Sequence, residues 1–376
     1  MPAGKAYHFG SPVADPYFCD RETETGAVAR CMRGGTHVFV LGPRRYGKSS
    51  VVLRAADAVA AEGGLVARAD LARCAYSHDV ASEVLRAVVA ELGLAQRAAR
   101  SLGRLLRGLR VQPELHLGAD GRFDVSFDAE RAARSWPEMF DDAVTLLADQ
   151  SARRTAVLVV DEFQAVAGKG MDRRWPGLFK SAADRLQHAS LALCGSRRRV
   201  MDDLVRHRTA PLYGMGQVVA LGEIPEEEIV AYLVRRAAAV GGQMSQGTAR
   251  LVCERGGPVP HYVQQLADAA YRAAPGGTID AECVERGTAG SVALQESDFI
   301  DLYASLAPGQ RRLLQVLAAE PTEHPYASEF VRKVEVTARS VTVSLEVLEE
   351  AGLVLRRGST WFVPDPFMRA WLVAKH

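Results

Sequence analysis

The chain has 376 residues, enough for two or three domains, and its 48% apolar and 24% charged residues are ordinary for a globular protein. A net charge of +1 gives no global attraction to nucleic acid, so any such binding must come from a local patch. Apolar stretches are broken well short of the roughly 18 residues of a membrane span, residues 1–10 lack the apolar core of a signal peptide, and the six cysteines are scattered with no CxxC, which predicts reduced thiols in a cytoplasmic protein.

The apolar run Val38–Leu41 predicts a strand that leads into Gly42-Pro43-Arg44-Arg45-Tyr46-Gly47-Lys48-Ser49 and then a helix-like stretch over 50–61. This is the GxxxxGK[ST] phosphate loop in strand–loop–helix context. Its glycines allow a tight turn whose N–H groups form an anion-sized nest, and the helix N-terminus adds positive potential. Gly42 to Ser50 are the candidate nucleotide contacts, with Lys48 reaching the β- and γ-phosphates and the Ser49 hydroxyl a ligand for Mg²⁺. Lysine is scarce, six residues against forty arginines, so Lys48 is unlike the background. A second strand is expected over 65–69.

Between these strands and the next lies a basic stretch. Arg97, Arg100, Arg104, Arg107 and Arg110 fall at spacings of three and four along one helical face with no acidic residue among them. Residues 114–117 and 122–126 alternate around Gly118-Ala119-Asp120-Gly121, a predicted β-hairpin. Five arginines without acidic neighbours favour an anionic or protein partner.

The β-branched run over 155–160 predicts a strand covered on both faces, ending in Asp161-Glu162 at the sheet edge where α/β proteins bind ligands. Asp161 supplies the carboxylate for the Mg²⁺ shell. Glu162, beside the γ-phosphate, aligns water for in-line attack. A third strand over 190–194 ends in Gly195-Ser196, where Ser196 reaches the γ-phosphate or the attacking water. The arginines that follow, Arg197, Arg198, Arg199, Arg206 and Arg208, are candidates to complete a neighbouring copy's site, Arg206 and Arg208 above the triplet because Asp202 and Asp203 neutralise it. A last core strand falls over 217–221.

Helices are expected over 226–240, 248–254, 261–274 and 280–286, the first opened by three glutamates and closed by Gly241-Gly242. Residues 287–296 read as a linker. Beyond it, helices over 310–319, 327–333 and 338–351 and a two-stranded wing around Gly358-Ser359 make a winged helix. Such folds often place the third helix in the major groove. From Ser305 onward, however, nine Lys/Arg face eight Asp/Glu, and the third helix carries Glu346, Glu349 and Glu350 where a phosphate backbone repels them. Arg339, Ser340, Thr342 and Ser344 are its candidate base contacts, and a packing or protein-contact role for this helix is the alternative of at least equal weight.

Along nearly its whole length the chain resembles the archaeal-type AAA+ ATPases of the signal-transduction (STAND) group. Phe18-Cys19-Asp20-Arg21-Glu22-Thr23-Glu24 is similar to the family's Phe-x-x-Arg-Glu-x-Glu opening, which implies that Phe18 and Arg21 lie near the adenine. The Gly-Pro-Arg-Arg phosphate loop, Asp161-Glu162-Phe163-Gln164, Pro211-Leu212-Tyr213-Gly214 and the closing Asp365-Pro366-Phe367 with Trp371-Leu372 follow in family order. Gly256-Gly257-Pro258-Val259-Pro260 resembles the lid's Gly-x-Pro motif stretched by one residue, so that Pro258 or Pro260 takes the nucleotide-facing proline position. Met215 stands where the family often has arginine. The resemblance implies an α/β fold with a parallel-sheet P-loop core over 1–221 carrying a helix–hairpin insert near 95–128, a small helical lid over 222–295 and a winged helix over 296–376. It also implies an ATP- and Mg²⁺-dependent switch, slow or partner-regulated, that works with a protein partner or its own copies in a regulatory or defence assembly. The alternative is an ATP-dependent DNA-binding protein like the origin-recognition initiators, contacting DNA through the 97–110 face or the winged helix.

Overall fold

The computed structural model describes residues 5–95, 109–111, 114–117, 123–196 and 198–375. The chain forms two compact units, Arg21–Gly222 and a second that joins Met1–Asp20 to Glu223–His376.

The first unit runs α1 (Glu22–Arg33), β1 (Val38–Leu41), α2 (Lys48–Ala61), β2 (Leu65–Asp70), α3 (Ser77–Ala95), β3 (Glu114–Leu117), β4 (Phe123–Ser126), α4 (Ala129–Ser151), β5 (Ala156–Asp161), α5 (Trp175–Arg185), β6 (Ala189–Gly195), α6 (Arg198–Val205) and β7 (Gln217–Ala220). Five strands form one parallel sheet in the order β2-β5-β6-β1-β7. Every residue of β1 and β6 is buried, as expected of parallel strands with helices on both faces, and this is why they read as unbroken apolar runs. The register sets Leu41 opposite Gly195 and Val160 opposite Leu193, so the three motif-bearing strands end along one edge. Behind β5, fully buried Phe163 meets Phe179 edge-on at 4.8 Å, which anchors the turn after Asp161-Glu162 in the core.

The expected hairpin is present, with Glu114 paired to Ser126 and Leu117 to Phe123. Arg97, Arg100, Arg104 and Arg107 lie outside the described residues. Arg110 corrects the picture of an unpaired basic face. Its guanidinium donates to Asp141 at 2.8 Å and its backbone N–H to Asp142 at 2.9 Å, because α4 brings up carboxylates that are remote in sequence.

The second unit continues with α7 (Glu226–Ala239), β8 (Gln243–Met244), α8 (Gln246–Gly256), α9 (Pro260–Arg272), β9 (Thr278–Ile279) and α10 (Ala281–Ser305). The linker expected over 287–296 is a correction, since α10 runs straight through it. A Cβ on Gly287 would sit 2.7 Å from the backbone of Ala269 and Ala270, so this glycine permits close helix packing against α9 and does not break the helix. The winged helix follows as α11 (Pro308–Ala319), α12 (Ser328–Val334), α13 (Ala338–Glu350), β10 (Leu355–Arg357), β11 (Thr360–Phe362) and α14 (Pro366–Lys375). Gly358, at φ 58°, turns the wing.

Residues 5–20 were expected with the core and pack instead in this second unit. Tyr7 is fully buried and its hydroxyl donates to the Leu233 carbonyl at 2.8 Å. Arg236 donates to the Ala6 carbonyl at 3.1 Å and stacks 4.6 Å from the Tyr17 ring. Two successive turns of α7 thus hold the segment.

Candidate nucleotide site

The loop between β1 and α2 turns on two left-handed residues, Arg45 at φ 68° and Gly47 at φ 84°. Alternation of right- and left-handed backbone turns successive N–H groups toward one point, which makes an anion nest at the start of the helix. Gly42 sits where a Cβ would come within 3.0 Å of the Leu221 carbonyl, so the loop is pressed against the end of β7. Arg44 and Arg45 are exposed, while Tyr46 and Ser50 are buried. Ser49 is half-buried at the first turn of α2.

Lys48 is only 6% exposed and donates to the Pro43 carbonyl at 2.7 Å, so the loop is folded around its own lysine. Burial pulls its ammonium pKa down, and Cys194, Glu162 and Asp161 oppose that fall. The phosphate-loop cation and the two carboxylates therefore share one electrostatic neighbourhood. Among the described residues no group of three or more His, Cys, Asp or Glu is arranged to hold a metal. One hydroxyl and one carboxylate, Ser49 and Asp161, are the kind of sparse oxygen set that suits Mg²⁺ shared with phosphate oxygens and water.

Glu162 adopts a left-handed backbone, φ 50° and ψ 39°, uncommon for a residue with a Cβ and costing roughly 1–3 kcal/mol. Asp161 accepts its N–H at 2.8 Å, which satisfies the donor freed by the turn. The Glu162 carboxylate accepts from the Gln164 side-chain amide and from the Ser196 hydroxyl, the latter at 3.3 Å. The Ser196 backbone N–H donates to Gln164 Oε1 at 3.1 Å. Sequence reasoning quoted Gln164 within its motif but gave it no part to play. It also passed over Cys194, fully buried at the end of β6, whose thiol is pushed well above its ordinary pKa by burial and then by Asp161.

The remaining predicted residues are dispersed. Arg21 is 4% exposed and spends its guanidinium on Glu24 at 2.8 Å and on the Gly222 carbonyl, leaving a buried Nε without a partner. Phe18 and Pro260 belong to the second unit, Pro260 as the first residue of α9. Arg206 pairs with Asp202 at 2.9 Å, which the sequence reading had assigned to the arginine triplet. Arg208 is exposed and has no ion pair among the described residues. Arg197 and the side chains of Arg198 and Arg199 lie outside the described residues.

The chain superposes over nearly its whole length on known structures. A Walker-type ATPase of Pyrococcus abyssi superposes with a TM-score of 0.63, 16% identity, and coverage of 96% of this chain and 98% of that one. The fold is that of the ORC/Cdc6-type AAA+ ATPases. The Aeropyrum pernix ORC2 protein in its ADPNP–ADP complexes matches at a TM-score of 0.56 and 15% identity over 96% of this chain and 95% of its own. The ORC1 protein of the same organism, in complex with DNA, matches at 0.51 and 13% over 97% and 94%. Residues 297–374 match a family described as a probable winged helix domain, which is the C-terminal module of this AAA+ fold here. No curated protein matches the sequence.

Proposed function

We propose that this protein is a cytoplasmic Mg–ATP-binding and hydrolysing switch of the AAA+/STAND kind, slow or partner-regulated, that couples its nucleotide state to a protein partner or to its own copies. The observation that carries this reading is the convergence of buried Lys48, Asp161, Glu162 and Ser196 at one sheet edge beside a left-handed phosphate nest. Bound Mg²⁺ would neutralise phosphate charge. Gly42 to Ser50 bind the phosphates, with Lys48 leaving the Pro43 carbonyl for them; Ser49 and Asp161 hold the metal shell. Glu162 orients water, and Ser196 marks the γ-phosphate position. Arg208, free of an ion pair among the described residues, is a better candidate than Arg206 to act on a neighbouring copy. Phe18, Arg21 and Pro260 are proposed nucleotide contacts on the family resemblance alone.

Calorimetry with Lys48→Ala tests the site: the variant should lose most Mg–ATP affinity, since the phosphates lose their direct counter-charge. Unchanged affinity would refute the assignment.

A second reading, ATP-dependent DNA binding, is favoured by the likeness to ORC1, a structure in complex with DNA, and by the winged-helix match. Against it stands the outer face of α13, where Val343 and Val347 are 53% and 42% exposed beside exposed Glu346 and Glu350. Fluorescence anisotropy against salt, with and without Mg–ATP, separates the two. A DNA reader gives nucleotide-dependent affinity whose logarithm falls by about 0.9 per phosphate contact per log unit of salt. The switch gives weak binding indifferent to nucleotide.

A further inference from the structure

The carboxamide of Gln164 lies between the acid at the end of β5 and the serine at the end of β6, and it bonds to both. Its NH₂ donates to Glu162 Oε2, while its carbonyl oxygen accepts the Ser196 backbone N–H at 3.1 Å. Ser196 Oγ closes the triangle by donating to the same Glu162 oxygen at 3.3 Å. The arrangement depends on Gly195. A Cβ there would meet Gln164 Oε1 at 2.9 Å and Met201 Sδ at 2.5 Å, so a side chain at the strand tip displaces the amide from its place. The backbone cooperates too, because Glu162 in the left-handed region turns its side chain back toward Gln164 only two residues on.

We propose that Gln164 is a positioning residue that locks Glu162 and Ser196 into one unit, so that the group aligning water and the group sensing the γ-phosphate move together. An amide is the side chain that fits this task. It offers a donor to a carboxylate and an acceptor to a backbone N–H, and unlike a carboxylate it leaves the charge of Glu162 unopposed. The inference rests on the proposed role of Glu162 in hydrolysis, so its test includes a readout that needs no turnover.

In the nucleotide-free full chain, hydrogen exchange of the Ser196 amide is compared for wild type, Gln164→Ala and Gln164→Glu. Removing the acceptor should lower protection by about 10-fold, the equivalent of a bond near 1.4 kcal/mol, while Gln164→Glu retains an acceptor and most of the protection. Unchanged protection in Gln164→Ala overturns the lock, whether or not the protein hydrolyses ATP. In Mg–ATP turnover, Gln164→Ala should lower kcat by roughly 10- to 100-fold with KM within about threefold, and the loss should be strongly sub-additive with Ser196→Ala. Wild-type kcat in Gln164→Ala, or additivity with Ser196→Ala, overturns the positioning role. A wild-type protein that binds ATP and never turns it over refutes the proposed hydrolysis, and the exchange measurement still decides whether the lock exists.

Discussion

Two glycines three residues apart in α10 should respond in opposite directions to the same substitution. In a helix interior, alanine is favoured over glycine by roughly 0.5–1 kcal/mol because it loses less backbone entropy on folding. Gly290 has nothing within 4 Å of its would-be Cβ, so Gly290→Ala should collect that gain in full. Gly287 has backbone atoms of Ala269 and Ala270 at 2.7 Å, and no flexible side chain there can swing aside. The two helices must part, and overpacking of this kind costs about 1–3 kcal/mol, the upper part of that range applying where backbone meets the new methyl. Set against the propensity gain, Gly287→Ala should be destabilised by about 1–2 kcal/mol. At roughly 2–4 °C per kcal/mol for a unit of this size, differential scanning fluorimetry should show a fall of about 2–8 °C for Gly287→Ala and a rise of about 1–4 °C for Gly290→Ala. If both variants moved the same way, the close approach of α9 and α10 would not be what selects glycine at 287, and helix continuity through 287–296 would need another explanation.

Glu162→Gln keeps shape and removes charge, so it should bind Mg–ATP normally while turnover drops by about 10²-fold or more in a phosphate-release assay. Arg208→Ala should slow the turnover of assembled protein by about 10³-fold, with Arg206→Ala less affected because its charge is already spent on Asp202; mixing either variant with Lys48→Ala protein reads whether the arginine acts across copies. His37 uses both ring nitrogens, Nε2 on the Ala183 carbonyl at 3.2 Å and Nδ1 accepting the Leu191 N–H at 3.1 Å, and burial lowers its pKa from the ordinary 6.5. A base with a lowered folded pKa is neutral in both states above pH 6.5 and costs stability as pH falls below it, so thermal stability should decline on acidification through that value. His37→Gln should flatten the decline.

The five core strands were legible because parallel strands buried on both faces leave uninterrupted apolar runs, and the placement of Lys48, Asp161 and Glu162 at or just past the ends of such strands was legible from their spacing. What stayed hidden depends on contacts between remote parts of the chain. Gly287 looks like a helix breaker until the backbone of α9 is placed against it. Gln164 follows the acidic pair in sequence, yet its function requires the tip of β6, which nothing in local pattern brings near. Arg110 looked available as a cation, and Asp141 takes it up through the packing of α4; Arg206 is different, since its partner Asp202 lies only four residues before it and was assigned to the arginine triplet instead. The placement of residues 5–20 failed for the same reason. Tyr7 carries no periodicity, and its partner Leu233 is 226 residues away.

That distance has a consequence for synthesis. At about 5–20 residues per second, Tyr7 leaves the ribosome roughly 10–45 s before Leu233 does, and through that interval its buried place does not exist. The whole of Arg21–Gly222 is made in between and is free to fold first. Once it has done so, Arg21 grips the Gly222 carbonyl, and the two points where the chain leaves the folded unit are drawn side by side. A connection of some two hundred residues then behaves as a short one, and most of the loop entropy of joining 5–20 to α7 has already been met. The Arg21–Gly222 unit is thereby also the closure device for the other: weakening the Arg21 grip should delay assembly of the second unit while leaving its finished contacts untouched.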